Sequence, residues 1–228
     1  MHIILLVLLI GTLVIGPQWW ARRTMQKYQR NLDTIPGTGG ELAEHLLKQF
    51  KLDGVKVELT QQGDHYDPVS QTVRLSPLNF NGRSLTAIAV AAHEVGHAMQ
   101  HAANETGFNL RTRLAVFAFW SQRAGSATML AIPLIAGILR LPSAGILMAA
   151  AGLISMLTAT LVHLVTLPVE WDASFGKALP VLKQGNYITK REEKIVRKIL
   201  KAAALTYVAG SLASLLNLWR WIAILKRR

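Results

Sequence analysis

The run Ala91-Ala92-His93-Glu94-Val95-Gly96-His97-Ala98-Met99 constrains this chain more than any other stretch. Histidines four residues apart lie a turn apart on one face of a helix. Both imidazoles can then reach a single metal ion. The glutamate after the first histidine can act as general base on the water that such an ion activates. The flanks suit a buried helix. Between Leu85 and Ala103 there is no proline, the only glycine is Gly96, and alanine dominates, which is the best helix former. Ser84 can cap the first turn, because its oxygen accepts from free backbone N–H groups. The sequence therefore predicts a metal-binding helix over 84–103, with His93 and His97 as zinc ligands and Glu94 as catalytic base. A catalytic zinc takes three protein ligands and keeps one position open. A distant part of the chain must therefore fold back onto this helix.

The composition couples two properties that rarely coincide: 51% hydrophobic residues and a net charge of +12. They are compatible because they are segregated. Ile3–Trp20, about Gly125–Leu139 (or from as early as Leu114), Ala144 to about Leu167, and Ala202–Leu225 are apolar blocks, with arginine and lysine beside them. Basic residues that flank apolar runs suit anionic lipid better than nucleic acid. A lipid bilayer is therefore expected as partner and nucleic acid is not. There is no cysteine, which removes disulfides, thiolate metal sites and cysteine nucleophiles together.

Each block approaches the roughly 20 apolar residues that a membrane span requires. The expected fold class is thus a mainly α membrane protein. It has about four membrane helices and a small α+β metallopeptidase domain. The organisation predicted is an amino-terminal anchor over 1–20, and a cytoplasmic metallopeptidase segment over 21–113. A membrane hairpin over 114–167 follows, with a turn near Arg140-Leu141-Pro142-Ser143. Next come a cytoplasmic segment over 168–201, and a last helix with a basic tail over 202–228. Whether the last block crosses fully is left open, because four crossings would place Lys226-Arg227-Arg228 outside. Within 21–113, Glu41–Phe50 reads as an amphipathic helix. Val55–Thr60 and Thr72–Ser76 read as strands, the second a possible sheet edge for an extended substrate.

His101 continues the histidine stripe. Eight residues at 1.5 Å rise set it about 12 Å from His93, too far to share an ion. Topology points instead to the chain just past the hairpin, where Pro168-Val169-Glu170-Trp171-Asp172 carries the first acidic residues. Glu170 is the expected third ligand, with Asp172 second. His65 and Tyr66, in a polar turn, are candidate donors to the oxyanion or substrate. Asp64 and Asp67 are too few for a calcium cage and read as turn residues. His163, inside the third block, reads as a hydrogen-bonding group between helices.

Four segments together carry a family resemblance: Asp64-His65-Tyr66-Asp67-Pro68, Val73-Arg74-Leu75-Ser76, Ala91 through Gln100, and Pro168-Val169-Glu170-Trp171-Asp172-Ala173-Ser174. With them the chain resembles the YugP-like bacterial membrane zinc metallopeptidases, and more distantly the HtpX-type membrane peptidases. The likeness covers nearly the whole chain. It implies a zincin-like, gluzincin-type domain with Zn2+ held by His93, His97 and Glu170. It further implies a multi-pass protein of the bacterial inner membrane, with a cytoplasm-facing site and protein or peptide substrates. The HtpX-type pattern has an aspartate four residues after the third ligand. Here that position is Ser174. The activity expected is zinc-dependent endopeptidase action on membrane or membrane-proximal proteins. The alternative is a non-catalytic membrane scaffold with a structural zinc site, although such a scaffold has no use for Glu94. Oligomeric state is left open.

Overall fold

The structure, a computed structural model, describes residues 2–139 and 144–226, with side chains described chiefly from 15 to 121 and from 157 to 211. In chain order the elements are α1 (His2–Lys27), α2 (Gly39–Gln49), β1 (Lys56–Leu59), β2 (His65–Asp67), β3 (Thr72–Leu75), α3 (Pro77–Phe80), α4 (Leu85–Ala102), α5 (Thr106–Leu139) and α6 (Ala144–Trp171). A π-helical stretch, Asp172–Ala178, then leads into α7 (Leu179–Gln184) and α8 (Lys190–Lys226).

The alanine-rich helix α4 is the axis on which the rest is hung. Ser84 caps it, its Oγ accepting from the Ala87 N–H at 3.1 Å. Every residue from Leu85 to Ala92 is buried. Small side chains on all faces let neighbours approach from every direction. Around α4 gather Leu46 and Leu47 of α2, Val73 and Leu75 of β3, Phe108 of α5, Val169 of α6, Leu182 of α7 and Ile199 of α8. Each such large side chain contributes about 1.5–3 kcal/mol when fully buried. The entry to α2 is set by a capping box. Thr38 Oγ1 accepts from the Glu41 N–H at 3.2 Å, and Glu41 returns a carboxylate oxygen to the Thr38 N–H at 2.7 Å.

The sheet has the order β1-β3-β2. β1 runs parallel to β3, pairing Lys56 with Thr72 and Leu59 with Leu75. β2 runs antiparallel to it, pairing His65 with Arg74 and Asp67 with Thr72. β3 is thus central, with partners on both sides, and its Val73 and Leu75 are fully buried. The expectation that Thr72–Ser76 forms a sheet edge is corrected here. The free edges are those of β1 and β2. The turn between β2 and β3 is held by Asp67, which accepts from the Val69 N–H at 2.9 Å, the Ser70 hydroxyl at 2.7 Å and Arg74 Nη1 at 2.7 Å. Asp64 accepts from the Ser76 N–H and the Asn79 side chain, both at 2.7 Å.

The expectation of about four membrane helices is overturned. Among the described residues no helix is long and apolar enough to cross a membrane. The multi-pass placement that relied on four such helices loses its basis with it. The reason lies in the described stretches, where charged and polar residues sit on the same helices as the apolar runs. α1 continues through Arg22, Arg23 and Lys27, α5 begins with Arg111 and Arg113, and α8 is one helix whose first turns carry Lys190, Arg191, Lys194 and Arg197. The described part of α6 includes Thr158, Thr160, His163 and Thr166 before it reaches Glu170. Charge and polarity therefore share helices with the apolar runs. The turn expected at 140–143 lies outside the described residues.

The hydrogen bonds at Asp67 have a measurable consequence. They are led by that from Ser70, with Arg74 and Val69 adding, and they hold its carboxyl down from 3.8 to about 2. A carboxyl lowered by folding adds stability above its unfolded value, and that stability is lost as pH falls through the folded value. Asp67→Asn is expected to lower the melting temperature at pH 7. The two melting curves should converge on acidification between 3.8 and about 2.

Candidate metal centre

α4 presents His93 and His97 on the face turned toward the end of α6. Their rings stand edge to face, 4.7 Å between centroids. Glu170, in the last turn of α6, is 1% exposed and points one oxygen at both. Its Oε2 lies 3.2 Å from His93 Nε2 and 3.4 Å from His97 Nε2. One ligand atom from each of the three residues falls within 4.8 Å of the others. Bonds of about 2.0–2.1 Å to a tetrahedral ion place ligand atoms roughly 3.3 Å apart. The two Nε2–Oε2 separations fit that spacing, and the His2Glu donor set fits zinc.

The partners behind the imidazoles decide which nitrogen is free. Gln100 Nε2 donates to Val169 O at 3.0 Å and to Asp172 Oδ2 at 2.8 Å. Its carbonyl oxygen must then be the end that faces His97 Nδ1, at 2.9 Å. His97 therefore carries its proton on Nδ1 and offers the lone pair of Nε2. His93 Nδ1 has Ser174 Oγ at 3.1 Å, which allows the same assignment. Asp172 is braced from outside by Lys177 Nζ at 2.6 Å, and Lys177 also reaches Glu105 at 2.7 Å. Burial works against the Asp172 charge, but the bonds from Lys177 and Gln100 outweigh it and hold the carboxyl below its ordinary range. Burial likewise opposes ionised Glu170, yet hydrogen bonding from His93 and His97 in their Nε2-protonated forms keeps that carboxyl low.

Two local features bring α4 and the end of α6 together. A Cβ on Gly96 would lie 2.9 Å from the backbone oxygen of Ala173, so only glycine admits this approach. The π-helical stretch Asp172–Ala178 then turns Ser174 toward His93 and Asp172 toward Gln100. Single π turns inside helices often accompany functional sites.

A family model described as "Putative neutral zinc metallopeptidase" matches residues 2–226. The chain belongs to that zinc metallopeptidase family. It is also 37% identical over 217 residues to the "Putative membrane protease YugP" of Bacillus subtilis (strain 168), a match covering 92% of each chain. No solved structure matches it.

In this metallopeptidase Glu94 is buried beside the triad, and burial raises its carboxyl above the ordinary range. With His93 it lines a cavity of about 390 Å3 between α1, α4 and α8. The walls are Met25, Val90, Ile199, Leu200 and Ala203, and the polar groups include Arg22, Asp64 and Tyr207. His65 and Tyr66 do not line it. His65 Nδ1 contacts Gly63 O at 2.9 Å, and the Tyr66 hydroxyl contacts His101 Nδ1 at 2.8 Å. His101 stacks on Phe108 and stays outside the triad. Asp172 accepts from Gln100 and Lys177 and is not among the three residues whose ligand atoms converge. His163 lies against α8, where a Cβ on Gly210 would meet its ring at 3.2 Å.

Sequence reasoning missed Gln100 and Ser174 as partners of the imidazoles, and also Arg111 and Tyr207. Gln100 was accessible, since three residues after His97 is the same helix face. Tyr207 had no local signal. It arrives from α8, far along the chain.

Two outcomes are expected. Gln100→Ala removes the acceptor that orients His97 and should weaken zinc binding about 10- to 100-fold, measured by competition with a chromophoric chelator. Gly96→Ala forces the two backbones apart and should cost about 1–3 kcal/mol, read from urea unfolding, with a parallel loss of bound zinc.

Proposed function

We propose that this chain is a zinc-dependent endopeptidase in which His93, His97 and Glu170 hold the metal and Glu94 is the general base. One observation carries the reading. Three donor atoms converge beside a cavity that the general-base candidate also lines. A structural zinc site needs neither an adjoining cavity nor a buried carboxyl with a raised affinity for protons. When bound, zinc supplies Lewis acidity toward the scissile carbonyl and toward water.

The chain's own residues do the rest. Glu94 takes a proton from water and returns it to the departing amine, and the burial that raises its affinity for protons suits it to that exchange. Gln100 and Ser174 hold the imidazoles with Nε2 toward the metal. Tyr207 is the phenol among the cavity residues and the proposed donor to the tetrahedral oxyanion. His65 and Tyr66, whose polar atoms contact Gly63 and His101, take no direct part. The walls of Met25, Val90, Ile199 and Leu200 favour an apolar substrate side chain next to the scissile bond. Substrates at or near a membrane are proposed on two grounds. The Bacillus relative is named as a membrane protease, and Trp19, Trp120 and Trp171 are exposed on the long helices.

The test compares wild type with Glu94→Gln for zinc content and for cleavage of an unfolded protein such as casein. Bound zinc should be equal, and turnover should fall by at least the roughly 10²–10⁴-fold that general base catalysis supplies. Equal turnover in the two proteins overturns Glu94 as the base, and bound zinc with cleavage by neither protein overturns the reading in favour of a structural metal site.

A further inference from the structure

Arg111, on the first turns of α5, is the cation nearest the triad that the reading above leaves without a role. Its Nη1 stands 2.9 Å from Glu170 Oε1. The contact is an ion pair rather than a directed hydrogen bond, and both atoms are buried; the Tyr207 hydroxyl is a further hydrogen-bonding neighbour of the Glu170 carboxylate. The guanidinium is fixed in place by Phe108, whose ring lies 5.7 Å from Arg111 Cζ. Phe108 is itself 3% exposed and packs against the rings of His97 and His101 at 6.0 and 5.5 Å. The same aromatic ring thus neighbours both a ligand imidazole and the cation.

The two oxygens of Glu170 are consequently divided. Oε2 faces both imidazole Nε2 atoms, and Oε1 faces Arg111. A carboxylate can give a metal one oxygen or two. A second oxygen would occupy coordination space that a catalytic zinc site leaves open. A fixed, delocalised cation that never deprotonates is suited to keep one oxygen permanently engaged.

We propose that Arg111 is a positioning residue that holds Glu170 to one-oxygen coordination and so preserves the open position of the metal. The inference rests on the metal-site reading above and adds a residue to it. It also gives the loop and first turns of α5 a function beyond packing. Lysine at this position keeps a cation near Oε1, whereas an uncharged side chain frees that oxygen to turn toward the metal.

Cobalt is the probe, because four-coordinate Co2+ absorbs visible light far more intensely than five- or six-coordinate Co2+. Wild type, Arg111→Lys, Arg111→Ala and Arg111→Met are each loaded with one equivalent of Co2+, with circular dichroism as the check on folding. Wild type and Arg111→Lys should give the intense band. Arg111→Ala and Arg111→Met should bind cobalt and give a band severalfold weaker. Arg111→Met retains much of the side-chain bulk, so a packing defect in the alanine variant does not decide the outcome. Spectra identical in all four overturn the role of Arg111 alone. Loss of cobalt from folded Arg111→Met also overturns it, because Arg111 would then be needed to hold the ligand at all. Failure of wild type to bind cobalt or zinc overturns the metal-site reading and this inference together.

Discussion

The contact between the backbone of α4 at Gly96 and the backbone of Ala173 is the constraint on which the site depends. Two histidines on one helix set two corners of a coordination polyhedron wherever that helix goes. The third corner comes from a residue 73 positions beyond His97, so its placement rests on how closely two helices pack. With a Cβ at position 96 the approach is closed off. With glycine there, Glu170 Oε2 comes within 3.4 Å of both Nε2 atoms. The alanine content of α4 serves the same end on its other faces. It lets the sheet, α2 and α8 close around a helix that holds ionisable groups in a buried place.

Burying such groups is costly unless each has a partner. The molecule meets that requirement through a connected set. Lys177 answers Glu105 and Asp172, Asp172 answers Gln100, Gln100 answers His97, Ser174 answers His93, and Arg111 answers Glu170. Each ligand therefore has one side committed to protein and one side turned to a common point. That is the arrangement in which ligand orientation is set before a metal arrives. The π-helical stretch after α6 makes the set possible. It rotates Asp172 and Ser174 to serve two different imidazoles, although they are only two residues apart in sequence.

Much of the site was legible residue by residue, and the reasons differ. The helix from Leu85 to Ala102 and its Ser84 cap follow from local propensity and hydrogen-bonding capacity, which act within a few residues. The choice of Glu170 over Asp172 came from chain order and resemblance. The structure sets Glu170 against the imidazoles and Asp172 against Gln100 and Lys177. The central position of β3 was not legible, because a strand of four residues carries no mark of how many neighbours it has. Reading apolar blocks as four membrane helices failed. Hydropathy along the chain does not say where a helix ends, and α1, α5 and α8 run on into charged turns.

Local pattern alone determined that this chain has a buried helix with two imidazoles and a carboxylate on adjoining positions. Those spacings are fixed by the pitch of a helix and need no tertiary contact. Only the tertiary structure decided which oxygen of Glu170 turns inward, and which nitrogen of His97 is free. It alone decided that a cavity walled by α1 and α8 opens beside Glu94. Those outcomes depend on contacts between residues tens to nearly two hundred positions apart. Such contacts are set by the mutual packing of helices, and no short stretch of sequence encodes that packing by itself.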